Sequence, residues 1–256
     1  MMTATTISRD ALLRPLWQRA FGRAWVLNLV LFALLSGLRV YGILGPERAS
    51  VRQLILVSFL VMWFLPFVFF HRNGRRAMGL RKPERLAWLV WGPLLGAAAS
   101  MALFAVGVLL YGRGTDHWYI AISRQYLLDD VMSQLPLPMV IVMFTAPAML
   151  FSPIGEEFFF RGMVHESVRT GWSEGAATLV NGLAFAGVHL FHYAIARNAG
   201  GWHVRVIPGL VWFALMVGVS WLFTQCRRQS GSIWPAVLAH ATFNLVMNLT
   251  IFLILI

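Results

Sequence analysis

Seven stretches of this chain are each apolar over about 20 residues, the length a helix needs to cross the hydrocarbon core of a bilayer. They fall at about 24–44, 54–70, 87–111, 137–160, 176–196, 206–226 and 233–256. In hydrocarbon every backbone N–H and C=O must find its partner within the chain, so such stretches are expected as helices. A soluble core is satisfied by roughly half apolar residues, whereas here 59% are hydrophobic and only 12% are charged. The fold class expected is therefore all-α, a polytopic membrane helix bundle of about seven transmembrane helices. The second span is short. The fourth contains Pro147 and Pro153 and is expected to be bent or broken at Pro153.

Residues 1–23 read as an interfacial amphipathic segment, not a signal peptide. Leu12, Leu16, Trp17, Ala20 and Phe21 recur there at helical spacing against Arg14, Arg19 and Arg23. Residues 24–135 hold the first three spans, and residues 136–256 the remaining four. A short surface helix is expected within 112–136. The net charge of +11 comes from 21 basic residues. With the N-terminus in the cytoplasm, segments 1–23, 71–86, 161–175 and 227–232 carry 14 of these, the outer loops carry 6, and Arg39 lies within the first span. This is the positive-inside bias of a multi-pass integral protein, in a bacterial inner (cytoplasmic) membrane by expectation. The partner of the arginines is then the lipid bilayer, and no nucleic acid is expected. The loop 71–86 reads as a determinant of topology without chemistry. Cys226 is the single cysteine, which rules out an internal disulfide and a cysteine-based zinc site.

The polar residues inside the spans are few. Glu156 and Glu157 end a stretch of more than 20 residues without another charge, and the other eight acids fall in expected loops or the N-terminal arm. His189, His192 and His240 lie within spans, as do Asn181, Asn244 and Asn248. A carboxylate at membrane depth costs several kcal/mol, about 2.5–3.5 on insertion scales, so its retention points to use. Residues four apart share a helix face. That pairs Glu157 with Arg161, Phe185 with His189, and His240 with Asn244 and Asn248. Glu156 is turned by about 100° from Glu157, so the two carboxylates serve different ends. His192 and Asn248 read as structural.

These side-chain types permit hydrolysis. A carboxylate can take a proton from water, a neutral imidazole can share that water, and an imidazole with an amide can donate to a developing oxyanion. No serine or cysteine has a context that promotes it as a nucleophile. Glu, His and His could also hold zinc. The absence of His-Glu-x-x-His and the presence of the asparagine favour a site without metal, so no cofactor is expected.

Glu156-Glu157-x-x-x-Arg161, Phe185-x-x-x-His189 and His240-x-x-x-Asn244, in that order in a polytopic chain, resemble the CPBP intramembrane glutamic endopeptidases, also called CAAX-processing or Abi proteases. The resemblance covers roughly residues 140–250 and makes 136–256 the expected protease core. It implies an endopeptidase acting on a membrane-embedded or membrane-tethered peptide or protein. Glu156 would be the general base, with His189 sharing its water. His240 and Asn244 would form the oxyanion hole. Glu157 and Arg161 would order the site, and Phe185 would pack beside His189. Family members act on prenylated C-termini, bacteriocin leaders, peptide pheromones or sorting tails; the reading leans away from prenylated substrates. The alternatives are a non-catalytic immunity or scaffold protein of the same fold and a proton-coupled transporter. Straight helices set Glu156 near the inner edge, with His240 about 12 Å and His189 about 24 Å deep at ~1.5 Å per residue. A break at Pro153 is expected to lower Glu156 to within about 10 Å of both imidazoles.

Overall fold

The computed structural model describes residues 12–45, 53–124, 135–198 and 201–255. Seven helical rods dominate them. Five are long and apolar enough to cross a membrane: Ala24–Leu44, Trp88–Tyr111, Leu137–Arg169, Val206–Ser230 and Trp234–Leu255. Gln53–Phe69 is a shorter apolar helix, and Glu174–His189 has 16 residues. They are called the first to seventh rods in chain order. The all-α membrane bundle expected from the apolar stretches is the fold observed. The amphipathic reading of 1–23 lies partly outside the described residues; within them, Pro15–Phe21 is a helix.

Glycine sets the closest approaches between rods, as it does wherever membrane helices pack backbone to backbone. A Cβ added at Gly92 would sit 2.5 Å from the Pro235 carbonyl oxygen, and one at Gly96 would overlap that of Ala239. The third rod thus lies directly on the turn of the seventh that carries His240. A Cβ at Gly155 would come 2.7 Å from the Phe59 carbonyl oxygen, so the second rod is drawn against the residue preceding Glu156.

Three local expectations are corrected. The fourth rod is not broken at Pro153. It runs as α-helix over Leu137–Glu156, as π-helix over Glu157–Val164 and again as α-helix over His165–Arg169. Neighbouring rods donate to carbonyls beside its prolines, Trp63 Nε1 to Phe151 and Asn244 Nδ2 to Ala148, both at 2.9 Å. These donors tie the second and seventh rods to the proline-bearing stretch, although the carbonyls that the prolines themselves free are those of Met143 and Met149. The short helix of the 112–136 loop, Trp118–Ser123, is buried and not on the surface; Trp118 and Tyr119 are wholly enclosed. Finally, the fifth rod ends at His189, and the chain leaves it through a 3-10 turn and an antiparallel hairpin, Ile195–Asn198 with Gly201–Val204.

Continuity of the fourth rod removes the depth conflict. Glu156 lies 13 residues before the rod's end at Arg169, about 20 Å at 1.5 Å per residue. The expected edge near residue 160 is too early, and no break is needed to set the carboxylate deep. At 33 residues the rod is about 50 Å long. It is longer than the ~30 Å hydrocarbon core.

Candidate active site

Glu156 and Glu157 mark the change from α to π winding in the fourth rod. Single π turns inside α-helices recur at functional sites. All eight π residues are buried, as is Glu156 before them, so both carboxylates and Arg161 face protein.

The carboxylates have separate surroundings. Glu157 Oε1 accepts from Arg161 Nη1 at 2.9 Å and from His240 Nδ1 at 2.8 Å. Arg161 is wholly buried with its guanidinium carbon 4.0 Å from the Phe185 ring centre and 5.2 Å from that of Phe223. A delocalised guanidinium is weakly hydrated and stacks on aromatic faces, which makes this burial tolerable. Glu156 Oε1 accepts from Arg39 Nη1 at 2.6 Å. Its Oε2 has no hydrogen-bond partner among the described residues. This oxygen faces His189 Nε2 at 3.9 Å and His240 Nε2 at 3.8 Å. Both distances exceed a direct hydrogen bond and suit a bridging water.

The imidazoles are oriented by their other nitrogens. His189 Nδ1 lies 2.7 Å from the Phe185 carbonyl oxygen. A carbonyl only accepts, so Nδ1 carries the proton and a neutral ring leaves Nε2 as acceptor. Trp212 Nε1 donates to the His189 carbonyl at 3.1 Å, and the Phe185 ring lies 4.2 Å from that of His189. In His240, Nδ1 donates to the Glu157 carboxylate, and the ring stacks on Phe223 at 5.0 Å. Asn244 spends one amide hydrogen on the Ala148 carbonyl, leaving its second for another acceptor.

His189, His240, Asn244 and Arg39 line a cavity of about 410 Å³ among Phe59, Phe144, Phe151, Met216 and Phe243; neither glutamate lines it, and Glu156 borders it through Arg39 and the two imidazoles that it faces. Leu56, 39% exposed, also lines it, so the cavity reaches the surface beside the second rod.

All seven residues singled out in the sequence therefore lie in one cluster. Glu156 meets both imidazoles, Glu157 pairs with Arg161 and His240, Phe185 packs on His189, and Asn244 shares the cavity. Two participants were not foreseen. Arg39 bonds Glu156 and also donates Nε to His192 Nε2 at 2.8 Å, and the His192 ring stacks on His189 at 5.5 Å. The signal for Arg39 was its position as a lone charge in an apolar span, which points to function on its own. Among the described residues, no group of three or more His, Cys, Asp or Glu side chains is arranged to hold a metal ion.

Fold and site together define a multi-pass integral membrane protein with a buried pair of glutamates beside two imidazoles and an amide that line one cavity. Residues 136–246 match the family model described as Type II CAAX prenyl endopeptidase Rce1-like. The match falls on the stretch that carries the three motifs and agrees with the family they resemble. No curated protein and no solved structure matches the chain. The match includes every motif residue and leaves out the first three rods, Arg39 with them.

Proposed function

We propose that this chain is a glutamate-dependent intramembrane endopeptidase that hydrolyses a peptide bond of a membrane-associated substrate. The observation that carries the reading is the aim of Glu156 Oε2 at two imidazole Nε2 atoms just beyond direct bonding distance. A water between them donates one hydrogen to Oε2 and the other to His189 Nε2, and its oxygen lone pairs remain free. That oxygen adds to the substrate carbonyl carbon while Glu156 takes the proton. The tetrahedral oxyanion is met by His240 Nε2–H and the second Asn244 amide hydrogen. Collapse breaks the C–N bond, and the proton on Glu156 passes to the leaving amine.

The donor role of His240 has an electrostatic consequence. Its Nδ1 proton is committed to Glu157, so Nε2 can donate only from the doubly protonated ring. Arg39 and Arg161 balance Glu156 and Glu157, and the imidazolium adds one positive charge where the oxyanion develops. The same arrangement favours a metal-free reaction. A guanidinium already bonded to Oε1 opposes a dication beside Oε2, so chelators should leave cleavage unchanged.

Substrate access from the lipid side is supported by the cavity's apolar lining and its opening at Leu56. The matched family is described by its action on prenylated CAAX substrates, against the sequence-based leaning, and we include a lipidated C-terminus among the substrates to test. The arginine distribution supports a cytoplasmic N-terminus. The experiment compares membrane peptides from cells carrying wild type, Glu156→Gln or His189→Ala by mass spectrometry. Fragments should appear with wild type and vanish with either variant. Wild-type-like release from Glu156→Gln would end the reading.

A further inference from the structure

Arg39 comes from the first rod and bonds a carboxylate 117 residues away. It is 5% exposed, so the contact is made inside the bundle and not in water. Its carbon lies 5.3 Å from the Phe59 ring centre, which holds the plane of the guanidinium from the second rod. Two N–H groups of that plane serve two partners: Nη1 reaches Glu156 Oε1 at 2.6 Å and Nε reaches His192 Nε2 at 2.8 Å. His192 in turn lies with its ring 28° from parallel to that of His189.

We propose that Arg39 is a positioning residue for the hydrolytic site, supplied from outside the stretch that carries the family motifs. It occupies Oε1 and so selects Oε2 as the oxygen facing the two imidazoles. Through His192 it also backs the ring of His189. The inference rests on the hydrolytic reading above, because an aimed Oε2 matters only if it handles a proton. Geometry, and not charge alone, is the point. The guanidinium presents its N–H groups as a rigid planar fork, so the carboxylate and the imidazole are fixed relative to one another. A lysine ammonium is a point charge on a flexible stem and cannot hold both. Buried at the same place, lysine would keep the charge balance and lose the aim.

The test follows the fragments that wild type releases in membranes and Glu156→Gln does not, timed by mass spectrometry and normalised to folded protein by size exclusion and thermal melting. Arg39→Met should slow their release at least 10²-fold per folded molecule, and Arg39→Lys should fall between it and wild type. A second readout needs no substrate. The infrared difference between a parent and its Glu156→Gln partner isolates the Glu156 carboxylate stretch, which should shift in the Arg39→Lys background. If wild type and Glu156→Gln release the same fragments, the hydrolytic reading fails and this inference with it. If they differ but Arg39→Lys releases fragments at the wild-type rate with an unshifted carboxylate band, the reading stands and the positioning role is overturned. Should Arg39→Met not fold, Arg39→Lys decides alone.

Discussion

The fourth rod carries two polar clusters, and they are built on opposite rules. One surrounds Glu156 and Glu157 at mid-rod. The other surrounds His165 and Glu166 about 15 Å further along, ten residues from Glu156 to Glu166. At the far cluster the bonding is nearly closed, Glu174 Oε1 being its one buried carboxylate oxygen without a hydrogen bond among the described residues, although a smaller cavity of about 250 Å³ lies beside it. Arg227 donates Nε to the Met78 carbonyl at 3.0 Å, Nη2 to that of Ala77 at 3.0 Å and to Glu166 Oε2 at 2.9 Å, while its Nη1 lies 2.9 Å from His165 Nδ1. Arg169 takes the other oxygen of Glu166, and Glu174 Oε1 lies 3.0 Å from both His165 Nε2 and Arg228 Nε. At mid-rod the bonding is open. Glu156 Oε2 and Glu157 Oε2 have no hydrogen-bond partner among the described residues, and the imidazoles that Glu156 Oε2 faces line the larger cavity. A buried acceptor left without a partner destabilises a fold by about 1–3 kcal/mol. An open cluster is therefore worth keeping where another molecule completes it, and a closed one where loops must be tied together.

The contrast can be broken by substitution, beginning with the largest effect. Glu156→Gln keeps an oxygen for Arg39 and removes the base, so fragment release should fall about 10³–10⁴-fold with little change in melting temperature. Arg227→Met should do the reverse. Removing one partner of a buried ion pair costs about 3–5 kcal/mol, read as a large drop in melting temperature, while release per folded molecule stays near wild type. A loss of release without loss of stability in Arg227→Met would erase the distinction between the clusters. Asn244→Ala removes one oxyanion donor and should slow release about 10²–10³-fold, with modest destabilisation from the orphaned Ala148 carbonyl. The smallest effect sharpens the boundary between the clusters. Asn28 donates to the Met163 carbonyl at 3.0 Å and to Ser167 Oγ at 2.9 Å, tying the first rod to the fourth between them. Asn28→Leu should lower stability by about 1–3 kcal/mol and leave release per folded molecule unchanged.

The mid-rod cluster is largely legible in the sequence, because its pairs are local. Glu157 with Arg161 and Phe185 with His189 are each four residues apart, and 3.6 residues per turn puts them together in any helix. The closed cluster is not legible there. Glu166 reads as a loop acid after an arginine, since nothing in the local pattern says that the helix runs on to Arg169. Proline at 153 argues for a break, and only the packed structure shows the helix running through it. The buried helix Trp118–Ser123 reads as a surface one for a related reason: its neighbours in sequence are polar, but its aromatic side chains find Tyr193 and Trp212 from distant segments.

From the order of residues alone come the membrane class, the helical architecture and the seven side chains of the site, since hydropathy and helical period are properties of short stretches. Packing alone decides how far each rod slides past the next, and so that Arg39 meets Glu156, that both imidazoles meet the same oxygen, and that Arg227 locks Glu166. A helix fixes neighbours along its own axis. Registry between helices depends on which surfaces fit, and here glycines at 92, 96 and 155 let backbones approach until the polar groups of separate rods reach one level.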